Sequence, residues 1–211
     1  MNEKPISFKH LRGSEISNWL KQIAELRIQI FREWPYLYDG SLEYEVSYLR
    51  RYTKAERSFV IIALDGEQVI GASSCIWLPE ESEMELKKPF IEYNFNLEKG
   101  IYFGESVLYS QYRGQGIGAE FMRIRESFAK DECAADYAAF CSVVRLNEHE
   151  LKPDSYVPLD DFWTRRGFKR VQGMECQLCW KDIDKPQEDY KKLNFWVKNF
   201  KEDFHKPLKS S

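Results

Sequence analysis

Histidine is scarce in this chain, long apolar runs are missing, and no block of lysine and arginine interrupts it. His10, His149 and His205 show no ligand spacing, so no metal site is expected from them. The longest wholly apolar stretch, residues 59–64, falls far short of the ~18 to 20 residues that cross a bilayer. The opening residues, MNEKPISFKHLRG, contain no apolar signal core. A soluble, cytoplasmic protein with no membrane partner is therefore expected. Acidic residues outnumber basic ones, 34 to 31, for a net charge of −3. A nucleic-acid groove leaves a basic stripe, so no nucleic-acid partner is expected.

Cysteine is sparse as well. Five residues without a secretory signal read as reduced thiols. Cys176 and Cys179 form a CxxC, but on a strand positions i and i+3 point to opposite faces. Cys75, Cys133 and Cys141 are scattered, so the set lacks the four convergent ligands of a zinc site. The chain does have an apolar content of 43%, with 15% aromatic residues, enough over 211 residues for one packed domain spanning 1–211.

The informative stretch is residues 102–130, YFGESVLYSQYRGQGIGAEFMRIRESFAK. An apolar, β-prone run passes through three glycines in five positions into a helical pattern. Gly114, Gly116 and Gly118 let the backbone adopt left-handed angles and lie close to a ligand. The amides of Gln115, Gly116, Ile117, Gly118 and Ala119 then face outward at a helix N-terminus, where free N–H groups and the helix dipole favour an anion such as a phosphate. No lysine and hydroxyl residue follow Gly118, which excludes a P-loop, and the spacing G-x-G-x-G is not the G-x-G-x-x-G of a dinucleotide fold.

Arg113, Gly116 and Gly118 do fit Arg-x-x-Gly-x-Gly between a strand and a helix. This resembles the coenzyme A pyrophosphate loop of the GNAT superfamily of N-acetyltransferases. About 50 residues downstream, Phe162-Trp163-Thr164-Arg165-Arg166-Gly167-Phe168 is similar to the superfamily's aromatic-aromatic-x-x-x-Gly-Phe segment. The resemblance is strongest over residues 58–200, with the loop as its most specific part. It implies an α/β (α+β) fold: a mixed, mostly antiparallel sheet of about six to seven strands, with a central splayed parallel pair and about four flanking helices.

Taken in order, residues 6–9 read as a short strand, and residues 15–33 as a helix with Ser14 as N-cap. After the loop REWPYLYDG, a second helix runs from 41 to 54 with Leu42, Val46 and Leu49 on one face. The family commonly builds one wall of the acceptor site here, which makes Tyr36, Tyr38 and Asp39 candidates to line it. Residues 58–64 and 68–77 read as a hairpin joined at Asp65-Gly66. The acidic stretch 79–94 is partly helical. A buried strand at 137–146 lies parallel to the central one, since a helix crosses between them. Residues 168–180 form a strand bent at Gln172-Gly173. Alternation of Leu193, Phe195 and Val197 with Asn194, Trp196 and Lys198 predicts a final strand over 193–200, and the tail beyond Lys201 is expected to fray.

The resemblance also implies chemistry: acetyl (acyl) transfer from acetyl-CoA to a primary amine of a small molecule or a protein, by direct attack on the thioester. Ser106, Val107 and Leu108 then line the pantetheine, the Leu108 amide faces the thioester oxygen, and Asn147 and Trp163 contact the cofactor. Glu105, beside the gap, is the candidate base acting through water, since a lysine-like amine, with a pKa of about 10.4, must lose a proton first. Tyr156, in the long connection after Asn147, is the candidate to reach the acceptor. Trp163 departs from the family pattern, because a tyrosine often stands there as the acid and an indole has no proton to give at neutral pH. Tyr109, Tyr156 or Cys141 could substitute, or the thiolate could leave unaided. That departure supports a second reading, a non-catalytic acetyl-CoA-binding module. A homodimer is compatible with either.

Overall fold

The computed structural model describes residues 5–201. The tail expected to fray lies outside them, at 202–211. Seven strands form one sheet: β1 (Ser7–Leu11), β2 (Ser58–Asp65), β3 (Gln68–Trp77), β4 (Gly100–Leu108), β5 (Tyr137–Val143), β6 (Lys169–Lys181) and β7 (Glu188–Asn199). Their order is β1-β2-β3-β4-β5-β7-β6, antiparallel except for β4 and β5. Strands β2 and β3 are buried on both faces, which is why their sequences read as continuous apolar runs. Their turn is Gly66-Glu67, one residue later than expected, because Asp65 still pairs with Gln68 and Gly66 takes the positive φ of +61°.

Helices cover both faces. α1 (Leu20–Phe31), α2 (Leu42–Lys54) and α3 (Met84–Glu92) pack on one, over a core that includes Ile23, Leu49, Tyr52, Tyr102 and Phe195. α4 (Ile117–Asp131) and the short α5 (Asp160–Thr164) cover the other, over Phe59, Phe103, Phe121, Phe168 and Trp196. The first helix starts later than its apolar spacing suggested. The Glu15 carboxylate accepts from the Arg12 amide at 3.1 Å, so the chain enters a tight 3-10 turn over Gly13–Trp19 and Ser14 is not a cap. Ser41 does cap α2, accepting from the Tyr44 amide at 3.3 Å. Leu42 is on the outside of that helix, whereas Glu45 is buried. Strand β5 stops at Val143, leaving Leu146 exposed. Strand β7 begins five residues earlier than predicted, since Glu188 still pairs with Lys181. Trp196 is buried rather than outward-facing, because that face of the sheet is covered by Trp163 at 5.2 Å. The bend in β6 is a register shift between Arg170 and Glu175, with Gly173 at φ +75°.

The feature that positions the site is a fork. Strands β4 and β5 pair through only three rows, Gly100 with Tyr137, Ile101 with Ala138 and Tyr102 with Ala139. Beyond them β5 follows β7 to Val143, while β4 keeps only β3 as a neighbour as far as Leu108. The two strands part, and the open edge of β4 lines the gap.

Candidate active site

At the open end of the fork the chain leaves β4 and makes a tight turn at Ser110–Tyr112. Gly114 and Gly116 have φ values of +81° and +85°. Such angles cost other residues roughly 1–2 kcal/mol, which is why glycine stands there. Gly116 is the N-cap of α4, whose first bond runs from the Glu120 amide to the Gly116 carbonyl at 3.0 Å. None of the amides of residues 114–119 finds an acceptor among the described residues. They form a cradle of N–H groups on a helix dipole, which favours phosphate. Arg113 ties this loop down, donating to the Leu108 carbonyl at 3.2 Å and to Glu33 at 2.8 Å.

Along the fork, the Tyr109 amide donates to Ile70 of β3 at 3.0 Å. Successive strand amides alternate in direction, so those of Leu108 and Ser106 point to the open edge. Val107 is buried, and the exposed Ser106 holds Ser73 at 2.7 Å through its hydroxyl. Within the same strand lies a β-bulge, where Gly104 and Glu105 together oppose Ser74. A β-carbon at Gly104 would collide with the Tyr52 hydroxyl, so only glycine fits there. From the opposite face the buried Arg125 donates to the Ser74 and Glu105 carbonyls, each at 3.3 Å. Burial pushes its guanidinium down to about 10.

The bulge decides where Glu105 points. Its side chain is buried beneath α1 and α2, and its Oε2 accepts from Arg27 at 2.5 Å, while Arg27 also donates to Glu45 at 2.5 Å. Burial alone would lower the Arg27 pKa, but Glu105 and Glu45 outweigh it and keep the guanidinium charged. Phe31 and Tyr48 pack against that cation at 4.9 and 4.5 Å. Glu105 Oε1 carries no hydrogen bond among the described residues. Two carboxylates thus share one cation. Arg27→Met would leave both buried without it, at a cost of about 3–5 kcal/mol. For a chain of this size the melting temperature should fall by roughly 10 °C in a circular-dichroism melt; an unchanged melt would show that the triad contributes nothing.

The loop expected to line the acceptor site is held by Arg145, which was not among the sequence candidates. Its guanidinium forks onto Asp182 at 2.6 and 2.9 Å and donates to the Pro35 and Tyr36 carbonyls at 2.7 and 2.5 Å. An arginine closing an apolar strand was the signal available. Tyr36 packs on Phe31 at 4.7 Å and on Trp180 at 6.0 Å, and burial pushes its phenol up. Burial and the nearby Glu45 push the Tyr38 phenol up, whereas Asp39 is turned to the rim between Lys181 and Arg32, both at 2.9 Å. Burial would raise the Asp182 carboxyl, but Arg145 and Lys191 hold it below the usual carboxylate range. Its stabilising contribution is therefore complete above the unfolded pKa of about 3.9 and is lost as pH falls through its lower folded value. Asp182→Asn should flatten that acid limb in a stability-versus-pH series; an identical limb would contradict the assignment.

Of the remaining residues named from sequence, Tyr156 is edge-on to Trp34 at 6.1 Å, with its phenol raised by burial. Asn147 is exposed, and its Oδ1 accepts from Lys152 at 3.4 Å. Trp163 packs on Phe140 at 4.9 Å and Trp196 at 5.2 Å. The ring that stands against the cradle is Phe162, 3.6 Å from where a β-carbon on Gly118 would lie. Trp163 is the cofactor contact expected from sequence, but the structure sets its neighbour Phe162 against the loop. Among the described residues no group of three or more His, Cys, Asp or Glu could hold a metal, and no helix is long and apolar enough to cross a membrane. The CxxC thiols separate across the strand, Cys176 buried and Cys179 exposed.

A parallel strand pair split open, with free amides at its mouth, defines a fold that seats a phosphate-bearing cofactor between strands. The sequence model of the acetyltransferase (GNAT) family matches residues 21–152, and the chain belongs to that family. Acetyl-CoA is its acyl donor, and the protein is an acyltransferase. Solved structures share the fold at low identity. An acetyltransferase from Streptococcus agalactiae is 15% identical, with a TM-score of 0.58 over 92% of this chain and 98% of that one. An N-acetyltransferase from Staphylococcus aureus is 10% identical, with a TM-score of 0.60 over 94% and 100%. The PaiA N-acetyltransferase of Thermoplasma acidophilum, solved with coenzyme A, is 13% identical, with a TM-score of 0.51 over 93% and 100%. Comparison with curated proteins gave no match.

Proposed function

We propose that the protein transfers an acetyl group from acetyl-CoA to a primary amine, on a small molecule or a protein, by direct attack of the amine on the thioester. The observation that carries this reading is the fork. An open strand edge runs from the amide cradle to Glu105, so that one extended cofactor would meet phosphate donors at one end and a carboxylate at the other. The residues fit the group: glycines with left-handed angles leave the amides of Gln115, Gly116, Ile117, Gly118 and Ala119 uncovered, Phe162 walls the cradle, and Ser106, Val107 and Leu108 line the gap. When bound, acetyl-CoA supplies an activated acyl carbon. The Leu108 amide is assigned to the oxyanion that develops there. Glu105 takes the amine proton through water at its unbonded Oε1, with Arg27 fixing the carboxylate's orientation. Tyr36 and Tyr156 line the acceptor side, and Asn147, in the loop that follows β5, contacts the cofactor.

Arg113 works by holding the cradle rather than by forming it. Arg113→Ala is expected to weaken acetyl-CoA binding by roughly tenfold, in keeping with about 1.5 kcal/mol for one charge-assisted contact, as read by calorimetry. A loss as large as that from a blocked cradle would mean that the side chain itself binds phosphate. Release of coenzyme A thiol, followed over a panel of small amines, amino acids and lysine peptides with mass identification of the product, tests the activity. Acetylated product is the expected result. Tight acetyl-CoA binding with no thiol released by any amine would favour the non-catalytic module, which Trp163 in place of tyrosine already suggests.

A further inference from the structure

We propose that Cys141 is the general acid of this site, giving its proton to the thiolate that departs as the acyl group is transferred. The inference rests on the acetyltransferase reading above and names the residue that the family position, Trp163, cannot supply.

Position makes the first argument. Cys141 stands on β5 two residues beyond Ala139, the last residue paired with β4, so it lies where the fork has just opened. Ala139 and Cys141 share a sheet face with Tyr102, under α1 and α3. Among the five thiols, Cys75, Cys133 and Cys176 are buried and Cys179 is exposed, whereas Cys141 is half-buried.

Its partners make the second argument. The Tyr102 hydroxyl is 3.0 Å from Cys141 Sγ. From β6, the Cys176 thiol belongs to the same cluster. Cys176 and the Tyr102 hydroxyl together hold the Cys141 thiol below its ordinary value, against the opposing effect of burial. Cys176 is itself pushed far up, by Cys141 and by burial, and burial does the same to Tyr102. Both neighbours therefore remain protonated donors. Together they stabilise the thiolate that Cys141 becomes once its proton has gone. The other groups facing the sulfur are Tyr36, from the loop after α1, and Glu81, from the turn after β3, whose charge opposes the thiolate. The pair cannot be a disulfide switch. Strand β7 lies between β5 and β6, and Cys141 and Cys176 pair with Phe195 and Leu193 on it, so their α-carbons are more than two strand spacings, about 9.6 Å, apart, beyond the ~7 Å a disulfide allows.

The proton balance is simple. Cys141 Sγ–H breaks as the thioester C–S bond breaks; the C–S electron pair stays on the departing sulfur, which takes the proton, and Cys141 keeps the S–H pair until solvent reprotonates it. A thiol somewhat more acidic than usual, facing a thiolate whose own pKa is about 8.5, makes this transfer nearly isoenergetic. The other candidates fit less well. The indole of Trp163 is engaged with Phe140 and Trp196, and Tyr156 lies against Trp34.

Iodoacetamide labelling located by peptide mass mapping reads this thiol without turnover. Cys141 should reach half-maximal labelling at lower pH than a short cysteine peptide, and Tyr102→Phe and Cys176→Ala should each move that midpoint up by about one unit. Coenzyme A should slow labelling at Cys141 but not at Cys179. Cys141→Ala should keep its acetyl-CoA affinity by calorimetry while losing roughly 100-fold in turnover, together with the alkaline limb of its pH profile. Cys141→Ser, which keeps the volume but not the acidity, should not recover the rate. A labelling midpoint unmoved by both neighbour variants, or a Cys141→Ala enzyme with wild-type turnover and pH profile, would overturn the proposal and leave the acetyltransferase reading intact. Failure of the wild-type protein to bind acetyl-CoA would overturn both.

Discussion

Gly118→Val is expected to bind acetyl-CoA at least about 100-fold more weakly than wild type, a loss of roughly 2.7 kcal/mol or more, while melting at nearly the same temperature. The expectation follows from what surrounds the position. Gly118 is in the first turn of α4 without a positive φ, and the nearest atom to an added β-carbon is Phe162 Cζ at 3.6 Å, an ordinary contact. A side chain there costs the free protein little and fills the space in front of the cradle. Gly116→Val should also abolish binding, but it is a less clean test. With φ at +85°, a branched residue adds about 1–2 kcal/mol of backbone strain, so weakened binding would come with weakened folding. Calorimetry beside a thermal melt separates the two. A folded Gly118→Val protein with wild-type affinity would remove the cradle from the site.

Glu105→Gln should lower turnover by about 100-fold or more with little change in acetyl-CoA affinity, because a base acts only on the proton it removes. The buried triad makes this substitution gentler on the fold than it first looks. A glutamine oxygen can still accept from Arg27, and Glu45 remains as the counter-ion, so the buried charge goes from two carboxylates against one cation to a balanced pair. Activity should return in part as pH rises above neutrality and more of the amine is deprotonated unaided, up to the alkaline limb that Cys141 sets. Unaltered turnover at neutral pH would leave Glu105 with a purely structural part, holding α1 and α2 to the bulge of β4.

Much of this was legible in the chain, for identifiable reasons. The run from 102 to 130 combines a change of period from two to 3.6 with glycines at fixed offsets, so strand, cradle and helix could all be placed. The crossover helix then required β5 to be parallel, and the structure adds that the pairing stops after three rows. What escaped were features created by tertiary contact. A glycine inside an apolar strand is compatible with a bulge but does not announce one, and it is the bulge at Gly104 and Glu105 that turns the carboxylate under the helices to meet Arg27. By spacing Leu42 falls with Val46 and Leu49 on one helix face, and nothing in the sequence marks Glu45 for burial. The ion pair reverses them, since a buried arginine needs carboxylates more than the core needs another leucine. Arg145 and Asp182 lie 37 residues apart in sequence, and only the docking of the Trp34 to Tyr38 loop brings them together.

The central claim is that acetyl-CoA lies in the fork with its phosphates on the amides before α4 and its thioester between Leu108 and the acceptor face. A crystal structure of the protein with acetyl-CoA tests this most directly. The account predicts the pyrophosphate within hydrogen-bond distance of the amides of residues 115–119, the acyl oxygen at the Leu108 amide, and the sulfur on the side of Cys141. A cofactor bound outside the fork, or one whose acyl group faces away from Glu105 and Cys141, would contradict it.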